Sequence, residues 1–378
     1  MPIDCQSRDV ATLTASPSLR ETGVLLAGAI VILLLTASAA LMLWRARQES
    51  LETWRLYLAN FSATAAEHAG QTLHTVDFVL RRVVDRLETG VSDSGQPLSL
   101  ALGARATHAF LRERVAEVEV LDGVAIVALD GRPLNGSRSF PPVELDLTDR
   151  DYFQAHVADP ALDVYVSTPA RNRVTGQWTV FVSRKLHLPS GQWTGLAVAG
   201  IDLAYFEQFY RSINFSDSDR DSVIVLLRRD GTPLVRYPAQ PQALSRSYRD
   251  APVMRSLAGA LSQGRSSATV YTTVPRVANP ADAPPRMAAA HAVAGFPLAV
   301  LITATENLML RNWHEMARFV GAGVLVTDGL IAALMLWIHR LLRRRRVALL
   351  QLQAAREGAD VIDINMGCPA KKVTGGYC

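Results

Sequence analysis

Arg171 and Arg173 carry guanidinium forks, the side chains best shaped to grip a carboxylate through paired hydrogen bonds. Asp202 offers the opposite charge and could hold an ammonium or fix an arginine. Tyr152, Tyr165 and Trp178 are aromatics of the kind that wall small-molecule pockets, and His156 adds a polar ring. Each has a plainer use. The arginines sit in a turn and could simply be solvated, Trp178 could be core, and Asp202 could cap a helix starting near Leu203. Other chemistry is scarce: there is no Walker A loop, no H-E-x-x-H and no G-x-S-x-G. The three cysteines, Cys5, Cys368 and Cys378, leave residues 6–367 without a thiol, so no disulfide framework or thiolate metal site can form there, and no metal site is expected.

These groups need a scaffold, and the composition says which kind. Charged residues make up 20% of the 378 and hydrophobic ones 49%, which excludes a disordered, charge-rich chain. A polytopic transporter would be far more apolar. The net charge of +4 is too small to argue for nucleic acid without clustering.

The apolar excess is concentrated in two segments. Residues 23–44 contain no charge, and residues 319–338 contain one, Asp328. About 20 such residues cross the hydrocarbon core as a helix. Trp44 and Trp337 stand at segment ends, where indoles favour the interface. The alternative for the first segment is a cleaved signal, with Ala37-Ser38-Ala39 as the cleavage site. The cluster Arg343–Arg346 follows the second segment and predicts a cytoplasmic end there. Two spans then place both termini inside and residues 45–318 outside, and all three cysteines on the reducing side. Arg45 and Arg47 argue the other way, with fewer charges.

Beyond the first span, Trp54, Leu58, Phe61, Ala65, Ala69, Val76, Leu80, Val83 and Leu87 recur at helical spacing, and no proline interrupts residues 45–90. This predicts a long helix that acts as a stalk rather than a core element, ending at Glu88-Thr89-Gly90. Short apolar runs at 123–129, 163–167, 178–184, 194–201, 222–227, 268–273, 287–293 and 298–304 then read as strands. Residues 172–177 and 189–191 read as hairpin connections. Asp130-Gly131-Arg132-Pro133-Leu134 returns as Asp230-Gly231-Thr232-Pro233-Leu234, at an offset of 100, and Gly195 matches Gly295 at the same offset. Two features at one offset predict tandem copies of one antiparallel α+β module.

This organisation resembles the double-Cache sensors of bacterial membrane receptors over about residues 45–340. The resemblance is carried by Asp149-Arg150-Asp151-Tyr152-Phe153, by residues 169–178, by Gly200-Ile201-Asp202-Leu203, by Gly295-Phe296-Pro297-Leu298 and by Thr305-Glu306. It implies an α+β fold: a long N-terminal stalk helix and two tandem PAS-like antiparallel-sheet modules, flanked by two transmembrane helices. The implied domains are a cytoplasmic tail 1–22, a first span 23–44, and a sensor 45–318. Within the sensor lie the stalk 45–90, a membrane-distal module 91–212 and a membrane-proximal module 213–312. A second span 319–338 and a basic linker 339–353 follow. The resemblance implies a homodimer in the bacterial inner membrane, a periplasmic sensor and a small-molecule ligand in the distal module. The residues placed at that ligand are Tyr152, His156, Tyr165, Arg171, Arg173, Trp178 and Asp202. The tryptophan-tyrosine signature of amino-acid-binding members is not evident.

Residues 354–378 resemble a different family, the tRNA-dihydrouridine synthases, through Asn365-Met366-Gly367-Cys368-Pro369 with Lys371 and Lys372. That likeness implies a barrel strand at 361–364, Cys368 as the catalytic general acid, FMN as cofactor and tRNA as partner. A (β/α)₈ barrel takes about 250 residues, so the segment is expected to be a truncated, inactive piece. The expected function is therefore a sensor without its signalling output and with no cofactor, the flavin-dependent uridine reductase being the alternative.

Overall fold

The computed structural model describes residues 19–94, 102–187, 190–216, 221–240, 244, 246–272 and 284–366. They fall into two units, one within Glu49–Arg311 and the other within Met1–Gln48 and Asn312–Cys378.

The second of these units holds the N-terminal part of α1 (Leu19–Ser94) and nearly all of the last helix, α7 (Arg311–Met366). Both helices are long and apolar enough to cross a membrane, and no residue of their most apolar stretches is fully buried in the protein. They touch where small residues permit. A Cβ on Gly28 would collide with the Met335 side chain, and Trp313 Nε1 donates to Leu43 O at 2.8 Å. The 361–364 strand expectation fails here, because those residues continue α7 to Met366. A lone strand would leave its backbone groups unpaired, whereas a helix satisfies them within the segment. Cys368, Lys371 and Lys372 lie outside the described residues.

The larger unit contains two antiparallel sheets. After α2 (Arg105–Ala116) come β1 (Leu121–Ala128), β2 (Pro133–Gly136), α3 (Asp151–Ala158), β3 (Val164–Val166), β4 (Ala170–Arg171), β5 (Trp178–His187) and β6 (Trp193–Asp202). These strands order as β2-β1-β6-β5-β3, with β4 also on β5. Helix α4 (Leu203–Ile213) leads to β7 (Ser222–Arg228), β8 (Pro233–Tyr237), α5 (Pro252–Ser262), β9 (Ser267–Thr272), β10 (Arg286–Ala292), β11 (Leu298–Thr305) and the short α6 (Glu306–Met309). The second sheet orders as β8-β7-β11-β10-β9, the same path.

The repeat seen in the sequence is real at the first hairpin of each sheet. Ala128 N donates to Arg132 O at 2.9 Å, and Arg228 N to Thr232 O at 2.8 Å. The carbonyls of Gly131 and Gly231 receive Leu147 N and Tyr248 N, and each sheet shifts register just before its turn, at Ile126/Val127 and Leu226/Leu227. The Gly195–Gly295 match is corrected. Ala128 pairs with Gly195, but Arg228 pairs with Leu298, so β6 and β11 correspond at an offset of 103. Gly295 lies before β11, at φ +78°. The corrected offset aligns Asp202 with Thr305, and both cap the helix that follows their strand.

Gly231 sits at φ +91°, and a Cβ there would run into the Arg249 backbone. Left-handed backbone alone costs an L-residue about 1–2 kcal/mol. Gly231→Ala should therefore lower stability by at least about 2 kcal/mol in chemical denaturation. Gly259, inside α5 with nothing within 4 Å of an added Cβ, is the control, and Gly259→Ala should gain about 0.5–1 kcal/mol.

The long helix is a core element in this unit, not a free stalk, and it runs past Gly90 to Ser94. Leu58, Ala65, Ala69, Val76, Leu80 and Val83 are fully buried, in one cluster with Ile126, Val182 and Ala199 of the first sheet and Ile224, Val300 and Ile302 of the second. An apolar stripe at helical spacing must be covered, and the inner faces of the sheets cover it. One ion cluster fixes the docking. Arg184 of β5 donates from Nε to Asp77 Oδ1 at 2.5 Å and from Nη2 to Asp77 Oδ2 at 3.2 Å, while its Nη1 reaches Asp163 Oδ2 at 2.6 Å.

Candidate functional site

The two sheets differ on their outer faces. On the second, α5 lays Val253, Met254 and Leu257 against Val223, Val225 and Leu227 and fills the space. On the first, the corresponding face opens into a cavity whose empty space, open mouth included, is about 770 Å³. Its floor is Val127, Val198, Gly200 and Phe181 from the sheet; its walls include Leu145, Leu147 and Tyr152; Val143 and Val174 stand exposed at its edge.

The polar lining comes from loops that the strands hold. Asp122 enters β1 with its side chain 3% exposed. Its Oδ1 pairs with Arg138 Nη2, and its Oδ2 accepts from Asn172 Nδ2 at 2.7 Å. Asn172 opens the tight β4–β5 connection, where Asn172 N donates to Gln177 O at 2.8 Å and Gly176 N to Asn172 O at 2.7 Å. That turn carries Arg173 to the rim, where its Nη2 meets Asp149 Oδ2 at 2.5 Å and its Nη1 meets Asp146 O. Arg150 donates from Nη2 to Arg171 O at 3.0 Å, and its Nε is buried without a partner. Tyr152, on the first turn of α3, packs on Phe181 with ring centroids 5.5 Å apart, and burial pushes its phenol well above its ordinary pKa, so it stays neutral.

Of the seven residues expected at a ligand, the structure brings Tyr152 and Arg173 to this cavity. The other five are placed elsewhere. His156 is buried on α3 with Nε2 2.9 Å from Ser183 Oγ. Tyr165 receives a hydrogen bond from Arg228 Nη1 at 2.7 Å and so joins β3 to β7 of the second sheet. Arg171 donates to Gly176 O at 2.9 Å and stacks on the exposed Trp178, 5.2 Å from its ring centre. Asp202 accepts from Ala204 N at 2.9 Å as the cap of α4. Asp122, Arg138, Arg150 and Asn172 were not singled out from the sequence. Arg150 and Asn172 do fall within the stretches that carry the family likeness. Asp122 and Arg138 had no signal beyond lying beside the first hairpin. Among the described residues no cluster of three His, Cys, Asp or Glu is arranged for a metal.

Comparison with known proteins agrees with this architecture. Residues 203–304 match a dCache_1-like family model described as a histidine kinase sensor domain, and residues 345–378 match the dihydrouridine synthase model. The extracellular domain of rpHK1S-Z16, assigned as a histidine kinase, is 27% identical with a TM-score of 0.55, the match covering 69% of this chain and 98% of that one. The periplasmic sensory domain of the Campylobacter jejuni chemoreceptor Tlp1 has the same fold at 12% identity, with a TM-score of 0.54 and coverage of 69% and 98%. A Rhizobium leguminosarum bv. phaseoli protein named as a tRNA-dihydrouridine synthase is 83% identical over 24 residues, 6% of this chain and 8% of the relative's length. The likeness to double-Cache receptor sensors therefore holds, with a short synthase-like segment at the C-terminal end. The described part of that segment is the end of one helix. It does not form the strand-ringed cavity that would hold a flavin, so these residues do not fit that cofactor.

Proposed function

We propose that this chain is a membrane-anchored sensor that binds a small extracytoplasmic ligand in the outer-face cavity of the first sheet. The observation that carries the reading is the contrast between two sheets of one topology. One outer face is closed by α5, and the other holds a cavity where buried charge meets apolar surface. The two modules are read as PAS-like, a reading that their shared strand order supports, and the apolar parts of α1 and α7 are read as the spans. The Arg343–Arg346 cluster favours cytoplasmic termini and a periplasmic sensor in the inner membrane. Tyr152 and Arg173 are assigned to the ligand site together with Asp122, Arg138, Arg150 and Asn172. A homodimer is part of the same reading, because the double-Cache likeness implies one.

The test uses the full chain in lipid nanodiscs and a panel of small organic acids and amines. At 100 times its Kd, a ligand should stabilise the protein by about 2.7 kcal/mol through mass action, read as a rise in Tm. Val174→Trp, which places a large ring at the exposed mouth, should abolish the rise. A rise that persists in Val174→Trp would place the ligand elsewhere. For topology, a thiol introduced by Asp250→Cys should label from the periplasmic side while Cys378 stays protected; labelling of Cys378 from that side would reverse the orientation.

A further inference from the structure

We propose that the basic turn of α7 is a lipid-recognition site that gathers anionic phospholipid headgroups around the second span; the proposal rests on α7 crossing the bilayer. Arg340, Arg343, Arg344, Arg345 and Arg346 follow the apolar stretch directly, and no acidic residue lies between Asp328 and Glu357. Arg346 is partly buried. The other four are exposed and make no ion pair or hydrogen bond among the described residues. Guanidinium forks of this kind bind phosphate oxygens through paired hydrogen bonds.

The spread of these side chains decides what they fit. At about 100° per residue, Met335, Leu342 and Arg346 share one side of α7. Met335 meets Gly28 of α1 there, and Leu342 and Arg346 are partly buried. The four exposed arginines fan over about 200° of the remaining circumference. A protein lying along a helix takes one stripe of it, at i, i+3, i+4 and i+7. Separate small molecules packed around the helix take the whole arc, as lipids do. Depth agrees with this. Trp337, 60% exposed, stands one turn before the cluster, and indoles settle at the membrane interface. From Arg340 to Arg345 the helix rises about 7.5 Å, which matches the roughly 5–8 Å headgroup layer of one leaflet. A zwitterionic headgroup brings its own cation and offsets the attraction, so net anionic phospholipids are selected.

Electron spin resonance of the full chain tests this, in phosphatidylcholine vesicles carrying a trace of spin-labelled phosphatidylglycerol or spin-labelled phosphatidylcholine. The spectrum reads the share of label whose motion the protein restricts. Phosphatidylglycerol should be preferred at least about 3-fold at low salt, and the preference should shrink as sodium chloride rises to about 0.5 M. Arg343→Gln, Arg344→Gln and Arg345→Gln combined, with helix content checked by circular dichroism, should bring the two lipids near parity. Arg343→Lys, Arg344→Lys and Arg345→Lys combined should keep part of the preference, because the charge remains without the fork. Arg45→Gln, past the far end of the first span, should change it little. The proposal is overturned if the wild type restricts both lipids equally, if the preference ignores salt, or if the triple glutamine variant retains it. Equal but substantial restriction of both labels would sink the lipid site and leave the spans standing. No restricted lipid of either kind would sink both.

Discussion

Asp77→Ala should cost about 3–5 kcal/mol of stability, the usual effect of removing one partner from a buried ion pair. The Arg184 side chain is 9% exposed and that of Asp77 7%, so neither is solvated in the folded protein. Without Asp77, the guanidinium keeps the more exposed Asp163 and loses two of its three hydrogen bonds. Arg81, four residues along α1, also loses its partner, but it is largely exposed and adds little. Because the pair fixes α1 against β5, the loss should appear both in the denaturation midpoint and as faster amide exchange along the central part of α1. Exchanging Asp77 and Arg184 together for apolar residues should recover most of the loss, since a buried pair is rarely better than good packing. If Asp77→Ala alone cost less than about 1 kcal/mol, the pair would not be what secures the helix.

Acidification should destabilise the sensor unit below about pH 6.5, the ordinary histidine value. His156 is 1% exposed. Burial, reinforced by the Lys185 charge and only partly offset by hydrogen bonds to the Leu162 and Ser183 backbone and by the Asp163 charge, holds its pKa below the ordinary value. The native state therefore binds fewer protons than the unfolded state in this range. The stability is fully present above the unfolded-state pKa and is lost as pH falls through the folded-state pKa. The slope approaches about 1.4 kcal/mol per pH unit for one such group. Burial shifts His68 and His291 in the same direction, with Glu67 opposing at His291. Both are partly exposed and contribute less. Denaturation midpoints measured from pH 8 to 5 should show the fall, and His156→Gln should flatten it. A profile unchanged by His156→Gln would assign the acid sensitivity to other groups.

The spacing of apolar residues was enough to find α1, the two helices able to span a membrane and most strands of both sheets, because helix and strand periods are local properties of the chain. The Asp-Gly-x-Pro-Leu pair likewise located two equivalent hairpins, since a left-handed glycine and its flanking hydrogen bonds lie within five residues. Local pattern could not say what covers a face. The stripe on α1 is the same whether the helix stands alone or lies against two sheets, and only the packed structure shows the latter. It also could not align β6 with β11, because a three-residue difference between the modules is invisible until strands pair. The site depended most on tertiary structure. Asp122 and Asn172 are 50 residues apart and meet because β1, β6 and β5 lie side by side, while Tyr165, one strand over, is turned toward Arg228. The chain alone determined which residues could bind a charged ligand. Sheet order, set by the burial of distant apolar faces against one another, decided which of them share a cavity and which charges in it are already neutralised.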